Sequence, residues 1–254
     1  MDLFYEVQGE GSPIVMLHSP GVDSREWRYV APRLAAAHRV VTFDGRGVGK
    51  SPSPVEPADR VGDLLKLMEH LRIEKATLVG HSMGGQIATD FALMHPSKVE
   101  KLVLVAPSLS GFPYSAEFLG WIDKINAEAP DIDKMTDLSL TGPNYSLTMA
   151  GPQREFLREM TRDYMRKVFT EWQNFEMISP PPAADRLHEL RTPTLVVQGD
   201  KEWDDMFRVA ERFKEEAPDV RFALIEDSDH MVTLTHPEKL AELILSFAAE
   251  KTGA

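Results

Sequence analysis

Gly80-His81-Ser82-Met83-Gly84-Gly85 decides the reading of this chain: a short apolar run, Thr77–Val79, leads into it, and a segment of helical spacing through Gln86, Ile87 and Phe91 leads out. A strand that turns straight into a helix through G-x-S-x-G forces the central serine into a strained backbone conformation and pushes its Oγ clear of the main chain. The glycines two residues to either side leave room for the reversal. The helix N-terminus adds partial positive charge where an anion would develop. A glycine-rich turn closing an ordinary strand–helix unit meets the same spacing, but strand and helix on the correct sides favour a reactive Ser82.

A serine hydroxyl is a poor nucleophile at neutral pH and needs a base. His230 follows Glu226-Asp227-Ser228-Asp229, just past the last apolar strand run, on the sheet edge where Ser82 would stand. Four other histidines suit surface or capping positions better: His38 and His95 flank helix ends, His70 lies within a helix, and His236 precedes Pro237. A carboxylate should follow the strand Thr194–Val197, in Gly199-Asp200-Lys201-Glu202-Trp203-Asp204-Asp205. Asp204 reads as the N-cap of the helix that follows, Asp205 as a first-turn acid, and Asp200 as turned back to the sheet edge. Glu202 is the mid-loop carboxylate left to reach His230 Nδ1, although its three neighbours stay open as alternatives. The order Ser, acid, His then runs along the chain.

Apolar strand runs at Leu3–Val7, Ile14–Leu17, Val40–Phe43, Thr77–Val79, Leu102–Val105, Thr194–Val197 and Arg221–Ile225 alternate with helical stripes. One stripe is Val61, Leu64, Leu65, Met68; others are Met206, Val209, Ala210, Phe213 and Leu240, Leu243, Ile244, Phe247. That alternation predicts an α/β fold with a mostly parallel sheet and helices on both faces. Residues 112–190 break the pattern. They lack β-branched runs, carry Gly-Pro turns and a Pro180-Pro181-Pro182 tract, and hold ten of the 21 aromatic residues. They read as a helical cap inserted into a core built from 1–111 and 191–254. Most of the cap's large side chains should pack it onto that core, and the remainder should roof an apolar pocket over Ser82.

The 254 residues carry no cysteine, which removes disulfides, thiolate nucleophiles and Cys-ligated metal together. Forty acids against 28 bases give a net charge of −12, which repels phosphate backbones and argues against nucleic acid as a partner. No apolar run spans a bilayer, and acid stands at Asp2 and Glu6 where a signal peptide would carry Lys or Arg, so a cytoplasmic location is expected without a membrane partner. Gly49-Lys50-Ser51 imitates the end of a phosphate-binding loop, but Asp44 stands where that motif needs glycine. Neither a nucleotide nor any other cofactor is expected, and no metal either, because no histidine–acid spacing matches a ligand set.

Three further segments bring a resemblance. His18-Ser19-Pro20-Gly21 after Ile14–Leu17 resembles an HG-x-G loop. Asp44-Gly45-Arg46-Gly47-Val48-Gly49-Lys50-Ser51 resembles D-x-R-G-x-G-x-S, and His230 through Pro237-Glu238 resembles H-x6-P-E. With the Ser82 turn, these make the chain similar along its whole length to the α/β-hydrolase superfamily, in the branch of capped esterases, enol-lactone hydrolases and haloperoxidase-like proteins. The resemblance implies the α/β-hydrolase fold, with its cap inserted after the sixth strand of the family fold. It also implies a Ser-His-acid triad of Ser82, His230 and Glu202, the last an Asp-to-Glu departure. Of the two oxyanion N–H donors, Met83 is present but the other position is Pro20, which has none; Gly21 N–H or Ser19 Oγ must stand in. Trp203 either lines the pocket or shields the acid. The expected function is hydrolysis of small hydrophobic carboxylic esters or lactones, with water as co-substrate. A C–C bond hydrolase or lyase and a non-catalytic ligand receptor are the competing readings, and the oligomeric state is left open.

Overall fold

The computed structural model describes residues 1–250. Seven strands form one sheet: β1 (Tyr5–Gln8), β2 (Pro13–Leu17), β3 (Arg39–Phe43), β4 (Ala76–His81), β5 (Val99–Val105), β6 (Thr194–Lys201) and β7 (Val220–Asp229). Their spatial order is β1-β3-β2-β4-β5-β6-β7, with β1 antiparallel to β3 and every other pair parallel. The helices are α1 (Ala31–Leu34), α2 (Arg60–His70), α3 (Met83–Met94), α4 (Ala116–Asn126), α5 (Ile132–Ser139), α6 (Ser146–Ala150), α7 (Arg154–Glu171), α8 (Asp204–Glu216), α9 (Val232–Thr235) and α10 (Pro237–Ala249). None among the described residues is long and apolar enough to cross a membrane.

Strand side chains alternate between faces, so each central strand feeds two cores. Val15, Leu17, Leu78, Leu102 and Leu104 join one cluster with Leu64 and Leu67 of α2, Phe91 of α3 and Phe213 of α8. Ile14, Met16, Val79, Val103 and Val105 face the other way, onto Trp27, Leu34 of α1, and Leu240 and Ile244 of α10. Helix α2 begins where the Asp59 side chain accepts from Gly62 N–H. Its buried apolar stripe is Val61, Leu64, Leu67 and Met68; Leu65 is only partly buried, a correction to the predicted stripe in which Leu67 takes its place.

Strand boundaries also differ: β4 extends through Gly80 and His81, and β5 starts at Val99, three residues before its apolar run. Strand β1 starts at Tyr5, because the Phe4 peptide is occupied elsewhere: its N–H donates to Ser51 Oγ and its C=O accepts from Asp44 N–H. Strands β6 and β7 run four residues beyond their apolar runs and stay paired through Lys201 and Asp229, across an irregularity between Gly199 and Lys201. Close approach explains the glycine there, since a Cβ on Gly199 would lie 2.4 Å from Ser228 O. As a result Glu202 and His230 each leave directly from a strand end.

Helices α4–α7 all fall between β5 and β6, the fifth and sixth strands of this chain's own count. Buried carboxylates of α8 and β7 hold two of them. Asp205 of α8 accepts from Ser115 N–H and Oγ at the start of α4, and Asp229 accepts from Thr148 N–H and Oγ1 in α6. Lys167 Nζ of α7 donates to Gly49 O and Ser51 O, and Trp172 Nε1 donates to Gly47 O. Gly47 has φ +81 and a Cβ there would strike the Trp172 ring, so the glycine-rich turn after β3 serves as a seat for the end of α7.

Asp90 of α3 supplies a test of this core. Burial pushes its carboxyl up to about 6, against the Ser110 hydroxyl that donates to it and the more distant Arg186 charge. A carboxyl whose folded-state pKa is raised binds its proton more tightly folded than unfolded, so stability is lost as pH rises between the two values. Asp90→Asn should therefore stabilise the protein by about 1–3 kcal/mol at pH 8 and by almost nothing at pH 4. Urea unfolding at both pH values measures this; an equal effect at both would show that Asp90 ionises freely.

Candidate active site

Ser82 joins β4 to α3 with φ 53 and ψ −116, a conformation costly to any non-glycine residue. Its neighbours permit it. A Cβ on Gly80 would lie 2.4 Å from Gly84 O, and one on Gly84 would lie 2.3 Å from Leu17 O. Ser82 N–H donates to Val105 O, and Ser82 O accepts from Gln86 N–H and Ser108 N–H, so the strained peptide is held on both sides. Among the described residues no carbonyl receives the Met83 N–H that opens α3, which leaves it beside the Ser82 hydroxyl as a free donor.

His230 emerges from the end of β7 with its N–H on Asn144 O at 3.0 Å. Its Nδ1 lies 2.6 Å from Glu202 Oε1, and both side chains are nearly or fully enclosed. An ionised carboxylate only accepts, so the contact assigns the proton to Nδ1 and leaves Nε2 as the ring's basic atom. Burial disfavours a charged His230, but the Glu202 carboxylate, with Asp229 behind it, outweighs that and holds the ring above the ordinary histidine range. The Tyr145 ring stands edge-on to His230, 6.0 Å between centroids, and burial pushes its hydroxyl upward. No hydrogen bond joins Ser82 Oγ to His230 Nε2 in this structure; such contacts tighten when substrate enters.

Ser82 and His230 open on one cavity of about 520 Å³. Ser19, Pro20, Gly21 and Trp203 line it too, while the Met83 side chain turns away against Arg60. Most of the wall is apolar, from Phe118, Trp121 and Ile125 of α4, Leu140, and Met165 and Val168 of α7. Ser19 N–H is spent on Glu26 Oε1 and Ser19 Oγ on Pro20 O. Gly21, at φ +80 with open space around its Cα, has no protein partner for its N–H among the described residues.

The four candidate acids separate by contact. Asp200 takes Lys201 Nζ and Ser228 N–H, Asp205 holds Ser115, and Glu202 alone meets His230. Asp204 does not cap α8, correcting the sequence reading: the capping position is Trp203, whose side chain accepts nothing, because the helix begins one residue earlier than its apolar stripe suggests. Two residues of the site escaped sequence reasoning. Glu26 sits in the charged run Asp23-Ser24-Arg25-Glu26, which reads as a solvated surface, and His81 hides behind the serine it precedes; both side chains are fully enclosed.

The family model described as "Alpha/beta hydrolase family" matches residues 14–243. The chain belongs to that family. Its fold agrees with a hydrolase from Pseudomonas aeruginosa PA01, at a TM-score of 0.80 and 24% identity over 98% of this chain and 94% of that one. It is 29% identical over 97% of its length to a 2-hydroxy-6-oxononadienedioate/2-hydroxy-6-oxononatrienedioate hydrolase from Pseudomonas putida, covering 91% of that protein. Another Pseudomonas putida relative, a dihydrolipoyllysine-residue acetyltransferase component of an acetoin cleaving system, is 28% identical over 96% of this chain. The chain spans 65% of that protein's length.

Proposed function

We propose that this α/β hydrolase cleaves small hydrophobic carboxylic esters or lactones through an acyl-enzyme. The observation that carries the reading is the 2.6 Å contact of Glu202 with His230 Nδ1, in a cavity that Ser82 shares. Ser82 Oγ attacks the substrate carbonyl carbon while His230 Nε2 takes the hydroxyl proton. Negative charge gathers on the carbonyl oxygen, where Met83 N–H and Gly21 N–H donate; Gly21 replaces the donor that Pro20 lacks. His230 then gives its proton to the departing alkoxide, and the acyl group stays on Ser82. Water, deprotonated by His230, releases the acid and restores the serine. Residues 112–190 act as the cap, and their apolar wall selects the acyl or alcohol part.

A fluorophosphonate probe with mass-spectrometric site assignment tests the nucleophile. One adduct on Ser82 is expected; no adduct, or one elsewhere, overturns the proposal. C–C bond hydrolysis on the same residues is the second reading, favoured by Pro20 and by the Pseudomonas putida dienedioate hydrolase. Turnover of a vinylogous diketone with no turnover of p-nitrophenyl esters would select it.

A further inference from the structure

We propose that Glu26 and His81 form a buried positioning couple, bound by one shared proton, that locks the backbone of His230 to the loop carrying Gly21. The inference rests on the reading of Ser82 and His230 as nucleophile and base.

Neither side chain has any exposed surface, and such groups are tolerated in a core only when their hydrogen-bonding capacity is used. Here it is used in a continuous line. Ser19 N–H donates to Glu26 Oε1 at 2.8 Å, Glu26 Oε2 lies 2.7 Å from His81 Nδ1, and His81 Nε2 lies 2.8 Å from His230 O. A carbonyl only accepts, so His81 Nε2 carries a hydrogen. One proton then stands between Nδ1 and Oε2, whether the pair is an imidazolium with a carboxylate or an imidazole with a carboxylic acid. Both forms are net neutral, which makes the couple compatible with full burial.

No atom of the couple is free to touch substrate, because both ring nitrogens and both carboxyl oxygens are engaged. What the couple holds is backbone. The His230 peptide is gripped from the cap by Asn144 O on its N–H and from the core by His81 on its C=O. The two imidazole rings also pack with centroids 4.8 Å apart. At the other end Glu26 anchors Ser19, two residues before Gly21. The base and the proposed oxyanion donor, distant in sequence, thus share one rigid support. A displacement of about 1 Å between such groups costs about 100-fold in rate.

Three variants separate positioning from plain stability, read as the second-order rate of Ser82 modification by a fluorophosphonate, at a temperature where circular dichroism shows each protein folded. In Glu26→Gln the amide oxygen still accepts from Ser19 and the amide NH2 donates to His81 Nδ1; every link survives without the shared proton. Its rate should stay within about threefold of wild type. In His81→Asn the amide nitrogen replaces Nδ1 but stops short of His230 O, and in Glu26→Leu both links of the carboxylate are gone; each should react about 10- to 100-fold more slowly. Wild-type rates in folded His81→Asn and Glu26→Leu overturn the inference, as does a Glu26→Gln as slow as Glu26→Leu. Should the two disruptive variants not fold, nitrogen-15 spectra of the wild-type imidazoles decide. His81 Nε2 is expected as a protonated, hydrogen-bonded nitrogen at pH 7, and a bare Nε2 overturns the couple. A wild type that leaves Ser82 unmodified overturns the active-site reading itself, and this couple's function with it, by a result distinct from any variant's.

Discussion

Ser82→Ala should lower kcat for p-nitrophenyl esters by about 10⁴-fold or more, equivalent to about 5 kcal/mol of lost transition-state stabilisation. The loss is large because the acyl-enzyme route disappears: His230 and the Met83 N–H stay in place but have no hydroxyl to act upon. KM should change little, since the apolar cavity wall supplies binding and the substitution leaves it intact. Stability should stay within about 1 kcal/mol of wild type. The strained φ of 53 is borne by alanine as by serine, and the bonds that hold this peptide run through Ser82 N–H and C=O, not Oγ. Initial rates beside a thermal melt measure both quantities. Activity within tenfold of wild type would remove Ser82 as nucleophile and leave the elbow as a structural turn.

The elbow was legible in the sequence because its glycines answer to backbone contacts that no side chain could satisfy, and those contacts belong to the strand-to-helix reversal itself. The parallel sheet was legible for a related reason: central strands buried on both faces read as unbroken apolar runs, as Leu102 to Val105 does. The ends of β6 and β7 were not. Their last residues are polar and are held by main-chain pairing and the Asp200 carboxylate on Ser228 N–H, so no apolar signal marks Asp200 or Asp229 as strand. Asp204 misled for the converse reason: a residue type favoured for capping stood beside a visible stripe, while the helix had already begun. Glu26 and His81 carry no local mark at all. Their burial arises from a meeting of the Ser24–Tyr29 turn, the end of β4 and the end of β7, segments far apart along the chain. Periodicity reports which face an element buries. It does not report which polar groups that burial brings together.

Glu202→Gln should lower kcat/KM by about 10³- to 10⁴-fold and also displace its pH dependence, two effects with one cause. The carboxylate now fixes the proton on His230 Nδ1. A glutamine amide can instead donate to Nδ1, which moves the ring hydrogen to Nε2 and presents Ser82 with a donor where it needs a base. The pH effect follows from the balance at His230. Burial pulls its pKa down, and Glu202 leads the charges that raise it above the ordinary value, ahead of Asp229. Free enzyme needs neutral His230, so the acid limb of kcat/KM in the wild type should lie above pH 6.5, the ordinary histidine value, and fall to lower pH once Glu202 is neutralised. The same imbalance acts on stability: a raised histidine pKa stabilises the folded state below the unfolded value and ceases to do so as pH rises through the folded one, and Glu202→Gln should flatten that slope. Glu202→Asp keeps the charge on a shorter arm, and because β6 delivers residue 202 directly from its last paired residue, the backbone has little slack to make up the difference. This variant should retain the elevated acid limb with a reduced rate. An acid limb unmoved in Glu202→Gln would mean that Asp229 governs His230, and that the 2.6 Å contact orients the ring without setting its charge.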